Sequence, residues 1–358
     1  MNRLERLRAA LAEKGLDGLL VQKPENRRYL SGFTGSTGVL LVTPRGAHLL
    51  TDFRYTEQAA AQAPDFQIHR IESGGYAEAL VPLLQQEEVR RLGFESDYVT
   101  VDAHAAFQKA FGEAGVELIP APGLVERLRQ IKDPEEVAAI RRAAAIADAA
   151  FQHILGYIRP GVTEREVALE LEFFMKRQGA SALAFDTIVA SGPRSSLPHG
   201  VASDRVIGRG ELVTLDFGCV YQGYCSDMTR TVMVGEPDEK QREIYEIVLT
   251  AQRLGVEAAR PGITGRELDA ICRDYIAQRG YGEYFGHGTG HGVGLYIHEE
   301  PRVSQRGETV LEPGHVVTIE PGIYLPGWGG VRIEDLVVIT ETGAEVLSQS
   351  PKDLIILE

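Results

Sequence analysis

Basic charge is scarce in this 358-residue chain: 37 Lys and Arg stand against 51 Asp and Glu, a net charge of -14. Phosphate recognition needs clustered cations, and no segment supplies them, so nucleic acid is excluded as a partner. Cysteine is rarer still. Cys219, Cys225 and Cys272 are odd in number and lie at no zinc-finger spacing, which argues against a disulfide framework and for a reducing compartment. Long apolar runs are missing as well, so no membrane span is expected. The first twenty residues hold no apolar signal core; Leu4, Leu7 and Leu11 recur there at helical spacing among charges. A cytoplasmic protein is expected. No His-Glu-x-x-His helix, Gly-x-Ser-x-Gly elbow or Gly-x-Gly-x-x-Gly fingerprint occurs.

What the chain does contain is a repeat. Arg159-Pro-Gly-Val-Thr-Glu-Arg-Glu returns 101 residues later as Arg260-Pro-Gly-Ile-Thr-Gly-Arg-Glu. Downstream, Gly210-Glu-Leu-Val-Thr-Leu-Asp-Phe-Gly218 matches Gly314-His-Val-Val-Thr-Ile-Glu-Pro-Gly322, placing Asp216 opposite Glu320. Asp227, eleven residues after Asp216, has its counterpart in Glu334, fourteen after Glu320. Each acid alone reads equally as a turn residue or a buried ion-pair partner. Together, on apolar strand-like segments of two related units, they predict a pseudo-symmetric cluster of four carboxylates. Such a cluster needs compensating cations, because like charges raise one another's pKa and burial disfavours every ionised form.

Between the acid pairs runs Phe285-Gly-His-Gly-Thr-Gly-His-Gly-Val-Gly-Leu-Tyr-Ile-His298. Glycines around His287 and His291 suggest close backbone approach to a ligand or positive φ, as in a site and not a core strand. His199 precedes Asp216 by seventeen residues, at the expected rim. The remaining histidines, 48, 69, 104, 153 and 315, read as structural. Alternation in Val331-Arg-Ile-Glu-Asp335 sets Arg332 and Glu334 on one face, Asp335 on the other. Four carboxylates with an imidazole make a hard, oxygen-rich site suited to two divalent ions such as Mn²⁺, Co²⁺ or Zn²⁺. The chemistry of such a pair is hydrolysis of an acyl bond.

Residues 1–123 read as an α/β domain with a mostly parallel sheet, ended by the Pro120 and Pro122 stretch. Residues 124–131 read as a connecting helix. Residues 132–358 carry the repeat, each copy giving a helix before Arg-Pro-Gly, a second helix with a capping box (Thr163 with Glu166, Thr264 with Glu267), then antiparallel strands.

The order Asp216, Asp227, His291, Glu320, Glu334, with Gly290-His-Gly-Val-Gly294, His298-Glu-Glu-Pro301 and Ile319-Glu-Pro-Gly-Ile-Tyr324, resembles the proline-specific pita-bread metallopeptidases. Asn26-Arg-Arg-Tyr-Leu-Ser-Gly-Phe-Thr-Gly-Ser36 and Thr51-Asp-Phe-Arg-Tyr55 resemble the creatinase-type N-terminal domain of that branch. The resemblance implies an α+β chain: a creatinase-like α/β domain, then a pseudo-symmetric pita-bread catalytic domain. It implies two divalent metals bridged by Asp227 and Glu334, with Asp216 completing one shell and His291 with Glu320 the other. It also implies proton transfer by Glu320, oxyanion stabilisation by His298, a proline pocket at His287 and a hydrogen bond near the scissile carbonyl from His199. Tyr324 and Arg332 are expected behind the ligands or at the substrate's terminus. The implied activity is that of an Xaa-Pro aminopeptidase acting on peptides with proline second, with the dipeptide-restricted Xaa-Pro dipeptidase (prolidase) as alternative, and a homodimer is implied. A creatinase-like enzyme or a non-catalytic relative is a remote alternative, since both would be expected to lack the ligand set.

Overall fold

Two four-residue apolar runs, Gly18–Val21 and Val39–Val42, form fully buried neighbouring strands at the middle of a six-stranded sheet. In the computed structural model, which describes residues 2–72 and 75–358, the chain divides into units of residues 1–129 and 130–358. The first unit's sheet runs in the order Gln67–Arg70, Ala47–Thr51, Val39–Val42, Gly18–Val21, Arg91–Phe94, Glu117–Pro120. Only Val39–Val42 opposes the common direction. Leu20, Leu41 and Leu50 meet Leu80, Leu84, Phe107 and Phe111 of the helices Tyr76–Gln86 and Val101–Glu113 in one apolar cluster. Pro120 ends an edge strand, where a missing N–H costs little.

Within the expected first domain the Pro120 stretch is a strand, Glu117–Pro120, and the helix Leu124–Gln130 follows where a connecting helix over 124–131 was expected. Glu126 of that helix accepts from Lys23 and Asn26, and Arg129 donates to Asn26 at 2.7 Å, so its side chains are tied into the first unit. Two helices were not read from sequence: Val101–Glu113, and Pro24–Ser31, which buries Asn26, Arg27 and Ser31 in place of an apolar stripe.

The second unit is built twice. Helices Pro134–Leu155 and Glu164–Arg177 form one antiparallel-strand support, Glu239–Ala258 and Gly265–Gln278 the other. Both shorter helices open on the expected capping boxes, Thr163 with Glu166 and Thr264 with Glu267. The Arg-Pro-Gly turns need glycine, with φ of 96° at Gly161 and 88° at Gly262. Each capping threonine then bridges a downstream valine, Thr163 with Val206 and Thr264 with Val310. Ala147, Phe151, Leu171 and Met175 pack under Val213, Leu215 and Val232; Val248, Leu268, Cys272 and Ile276 pack under Val317, Ile319 and Val337. Besides Val162 against Ile263, the Arg-Pro-Gly segments differ at Glu164 against Gly265. Glu164 is fully buried and accepts from Ser191, Ser203 and Arg194, fixing the segment that carries His199. Its counterpart Gly265 admits the carbonyl of Arg302, with which any Cβ would collide. Among the described residues no helix is long and apolar enough to cross a membrane.

Candidate metal centre

Strand register delivers the four acids to one place. Glu211–Phe217 pairs with Met228–Val234, Asp216 facing Thr229, and Asp227 lies just past the end of that ladder. Val316–Ile319 pairs with Asp335–Ile339, and Glu320 and Glu334 lie just past its Ile319–Asp335 end. The Glu334 N–H donates to the Thr229 carbonyl at 3.1 Å, joining the two ladder ends. His291 enters on the short strand Gly290–Gly292, between Glu299–Val303 and Val316–Ile319. Its flanking glycines have no positive φ, and side chains there would collide with Thr318 and Glu300 carbonyls. The glycines therefore serve strand-to-strand approach. This corrects the expectation of positive φ beside His291; Gly288 and Gly290 do line the cavity.

Asp227, His291 and Glu334 each present a ligand atom, all within 4.8 Å of one another. The Nε2 of His291 is 3.5 Å from Asp227 and 3.3 Å from Glu320. Its Nδ1 lies 3.0 Å from the Gly292 carbonyl, which can only accept, so the proton sits on Nδ1. Burial holds the ring neutral, with its pKa lowered to about 4. The Nε2 lone pair thus points at carboxylate oxygens, an arrangement that a bound cation, or a proton held on one carboxyl, makes favourable. Thr229 donates to Glu334 at 2.7 Å and Thr318 to Glu320 at 2.9 Å, while Arg332 donates to Asp216 Oδ2 at 2.6 Å. The other Asp216 oxygen is buried without a hydrogen-bond partner. Burial, then mutual repulsion with Asp216 and Glu320, pushes Asp227 well above the carboxylate range. Glu334 is raised by burial and then by Asp227, and Glu320 reaches about 7, chiefly through burial. The donor set, the orphaned oxygen and the raised acids all fit bound divalent cations.

A cavity of about 500 Å³ opens onto the cluster. His199, His287 and His298 line it, and the five histidines read as structural do not. His298 is exposed at the cavity, its ring 4.5 Å from that of His291. His287 is fully committed: Nδ1 faces the Gly288 carbonyl at 2.8 Å, and Nε2 lies 2.7 Å from the Tyr324 hydroxyl. Because Arg332 donates to that hydroxyl at 2.9 Å, Tyr324 gives its own proton to His287. Arg332 is buried against Asp216 and Tyr324, beneath the cluster and not at an open end. As alternation predicted, Glu334 and Arg332 both reach Thr229 while Asp335 turns away to Arg230, Gln252 and Lys352. Sequence reasoning missed Thr229 and Thr318, although a threonine two residues before the acid recurs in both copies, as Thr214 and Thr318. It also missed Arg302, which lines the cavity directly opposite His291 in register.

Comparisons with known proteins agree along the length of the chain. Residues 138–341 match metallopeptidase family M24 and residues 3–131 the Creatinase/Prolidase N-terminal domain. An Xaa-Pro dipeptidase from Bacillus anthracis has a solved structure that superposes with a TM-score of 0.97 at 54% identity, covering 99% of each chain. The Xaa-Pro dipeptidase of Pyrococcus furiosus is 44% identical over 99% of both chains. An X-Pro aminopeptidase from Thermotoga maritima superposes with a TM-score of 0.93 at 39% identity, covering 99% of this chain and all of that one.

Proposed function

The chain belongs to metallopeptidase family M24, with a creatinase/prolidase domain at its N-terminus, and from that premise we propose that it is an Xaa-Pro dipeptidase, hydrolysing the bond between a first residue and a C-terminal proline. The expectation from sequence put an Xaa-Pro aminopeptidase first. The dipeptidase reading is better supported by the Bacillus anthracis and Pyrococcus furiosus relatives, whose names carry that activity. The observation that carries it is the charge left on the cavity wall. Arg332 is buried against Asp216, whereas Arg302 makes only an exposed pair with Glu300 at 3.5 Å, so Arg302 is the lining cation that can turn to a free carboxylate, and a dipeptide brings that carboxylate directly after proline. The Thermotoga maritima relative favours the aminopeptidase as second reading.

In this reading Asp216, Asp227, His291, Glu320 and Glu334 would hold two divalent ions, Asp216 through its unpartnered oxygen. When bound, the ions supply a Lewis acid for the carbonyl and a nucleophile from water near neutral pH. The surrounding groups orient these ligands: Thr229 on Glu334, Thr318 on Glu320, Arg332 on Asp216. Glu320 takes the proton of the attacking water and passes it to the departing proline nitrogen. His298 and His199 donate hydrogen bonds to the developing oxyanion. His287, with both nitrogens occupied, exchanges no proton; it presents ring edge to the proline and walls the cavity against water.

The test is chain length. A carboxylate met by Arg302 is worth about 1.5–3 kcal/mol, roughly 10 to 150-fold. Mn²⁺-loaded protein should therefore turn over Ala-Pro with a kcat/KM at least about tenfold above that for Ala-Pro-Ala, again at the low end of that range. Equal or faster cleavage of the tripeptide would establish the aminopeptidase instead.

A further inference from the structure

Two charges on the cavity wall lie outside the cluster: Arg302, which makes an exposed pair with Glu300 at 3.5 Å, and Asp186. Asp216, Asp227, Glu320 and Glu334 face one another, and Arg332 is spent on Asp216. What remains of the lining's charged side chains is one cation, Arg302, and one acid, Asp186. They belong to different copies of the repeat and to opposite flanks of the cluster. Arg302 pairs with His291, while Ile188 pairs with Asp216 and Asp186 precedes it by two residues. A dipeptide laid across the cluster with its carboxylate at Arg302 therefore directs its first residue toward Asp186.

We propose that Asp186 selects that first residue by charge, favouring a basic side chain and penalising an acidic one, a selection that presupposes the Xaa-Pro dipeptidase reading above. The wall between Asp186 and the cluster is apolar, formed by Phe185, Ile188, Pro198 and Val201. A Lys side chain lays its four-carbon stem along such a wall and carries its ammonium to the rim. The α-amino group sits beside the scissile carbonyl and so stays at the cluster; the side chain is the part that extends to Asp186. Among the described residues no ion pair or hydrogen bond occupies the Asp186 carboxylate, which is exposed and free to act at the rim. An acidic first residue places two carboxylates there instead.

The experiment measures kcat/KM of the Mn²⁺-loaded full-length protein for Lys-Pro, Leu-Pro and Glu-Pro at low salt. Each exposed charge contact changes the rate by a factor of about two to five. Lys-Pro should then exceed Glu-Pro by about tenfold, with Leu-Pro between them. Asp186→Asn should bring the ratio to about two or less, and Asp186→Lys should invert it. The ratio does not depend on how much of a variant is active. Should both variants fail to fold, the parent decides, because at about 1 M salt screening over roughly 3 Å should collapse its ratio. A parent ratio near one, or a ratio that survives Asp186→Asn or high salt, overturns the role of Asp186. Failure to cleave all three dipeptides overturns the dipeptidase reading itself.

Discussion

Removing an acid from the cluster should make the metal-free protein more stable at neutral pH. Burial raises Glu320 from an ordinary 4.5 to about 7. A carboxyl with a raised folded-state pKa binds more protons folded than unfolded, so its stabilising contribution is complete below the unfolded value and is lost as pH rises through the folded one. For Glu320 the window runs from 4.5 to about 7. At 1.36 kcal/mol per pH unit, that interval costs about 3 kcal/mol by neutral pH. Glutamine does not titrate, and its amide oxygen still accepts from Thr318. The second unit has 229 residues, 358 minus 129, for which about 3 kcal/mol corresponds to roughly 6–12 °C in Tm. Chelator-stripped parent and Glu320→Gln proteins should therefore melt together near pH 4.5. By pH 7.5 the variant should melt higher by that amount. Asp227 and Glu334 are themselves raised in part by Glu320, so removing its charge relieves them too and acts in the same direction. Added Mn²⁺ should reverse the order, because the parent keeps a ligand that the variant has lost. If metal-free Glu320→Gln melts at or below the parent at pH 7.5, Glu320 does not share a buried site with the other acids.

His298→Ala should lower kcat by about 10² to 10³, the usual cost of an oxyanion donor, with metal content near the parent's by elemental analysis. His291→Ala should lose metal and recover part of its activity at high Mn²⁺; the reverse pattern would show that ligand and catalyst have been exchanged. Arg302→Met should raise KM for Ala-Pro by roughly 10 to 150-fold while leaving the amide Ala-Pro-NH₂ little changed, a split that steady-state kinetics reads directly. Asp335→Ala should cost about 3–5 kcal/mol in denaturant melts, because it strands the buried Arg230 guanidinium.

The acids were legible because they recur: a carboxylate at the same place in two apolar strands has few explanations, and strand alternation gave Glu334 and Arg332 their shared face. His291 was legible from its place between the acid pairs. The groups that hold the acids in place were not, since Thr229 and Thr318 look in sequence like ordinary β-branched strand residues until register sets them against Glu334 and Glu320. Arg302 and Asp186 escaped for a related reason, because exposed charges gain meaning only from the cavity between them. Gly290 and Gly292 were read for conformational freedom, whereas the structure uses their missing side chains to press three strands together. Pro24–Ser31 was hidden by its polarity. Its packing rests on hydrogen bonds, with Glu95 accepting from Gln22, Lys23 and Asn26, and these leave no 3.6-residue apolar pattern.

The most direct measurement is Ala-Pro turnover by protein stripped of metal by prolonged chelation, with bound ions counted before and after Mn²⁺ is restored. Stripped protein should be inactive, and activity should return as binding approaches two ions per chain. Undiminished turnover at zero bound metal would contradict a catalytic centre built from Asp216, Asp227, His291, Glu320 and Glu334.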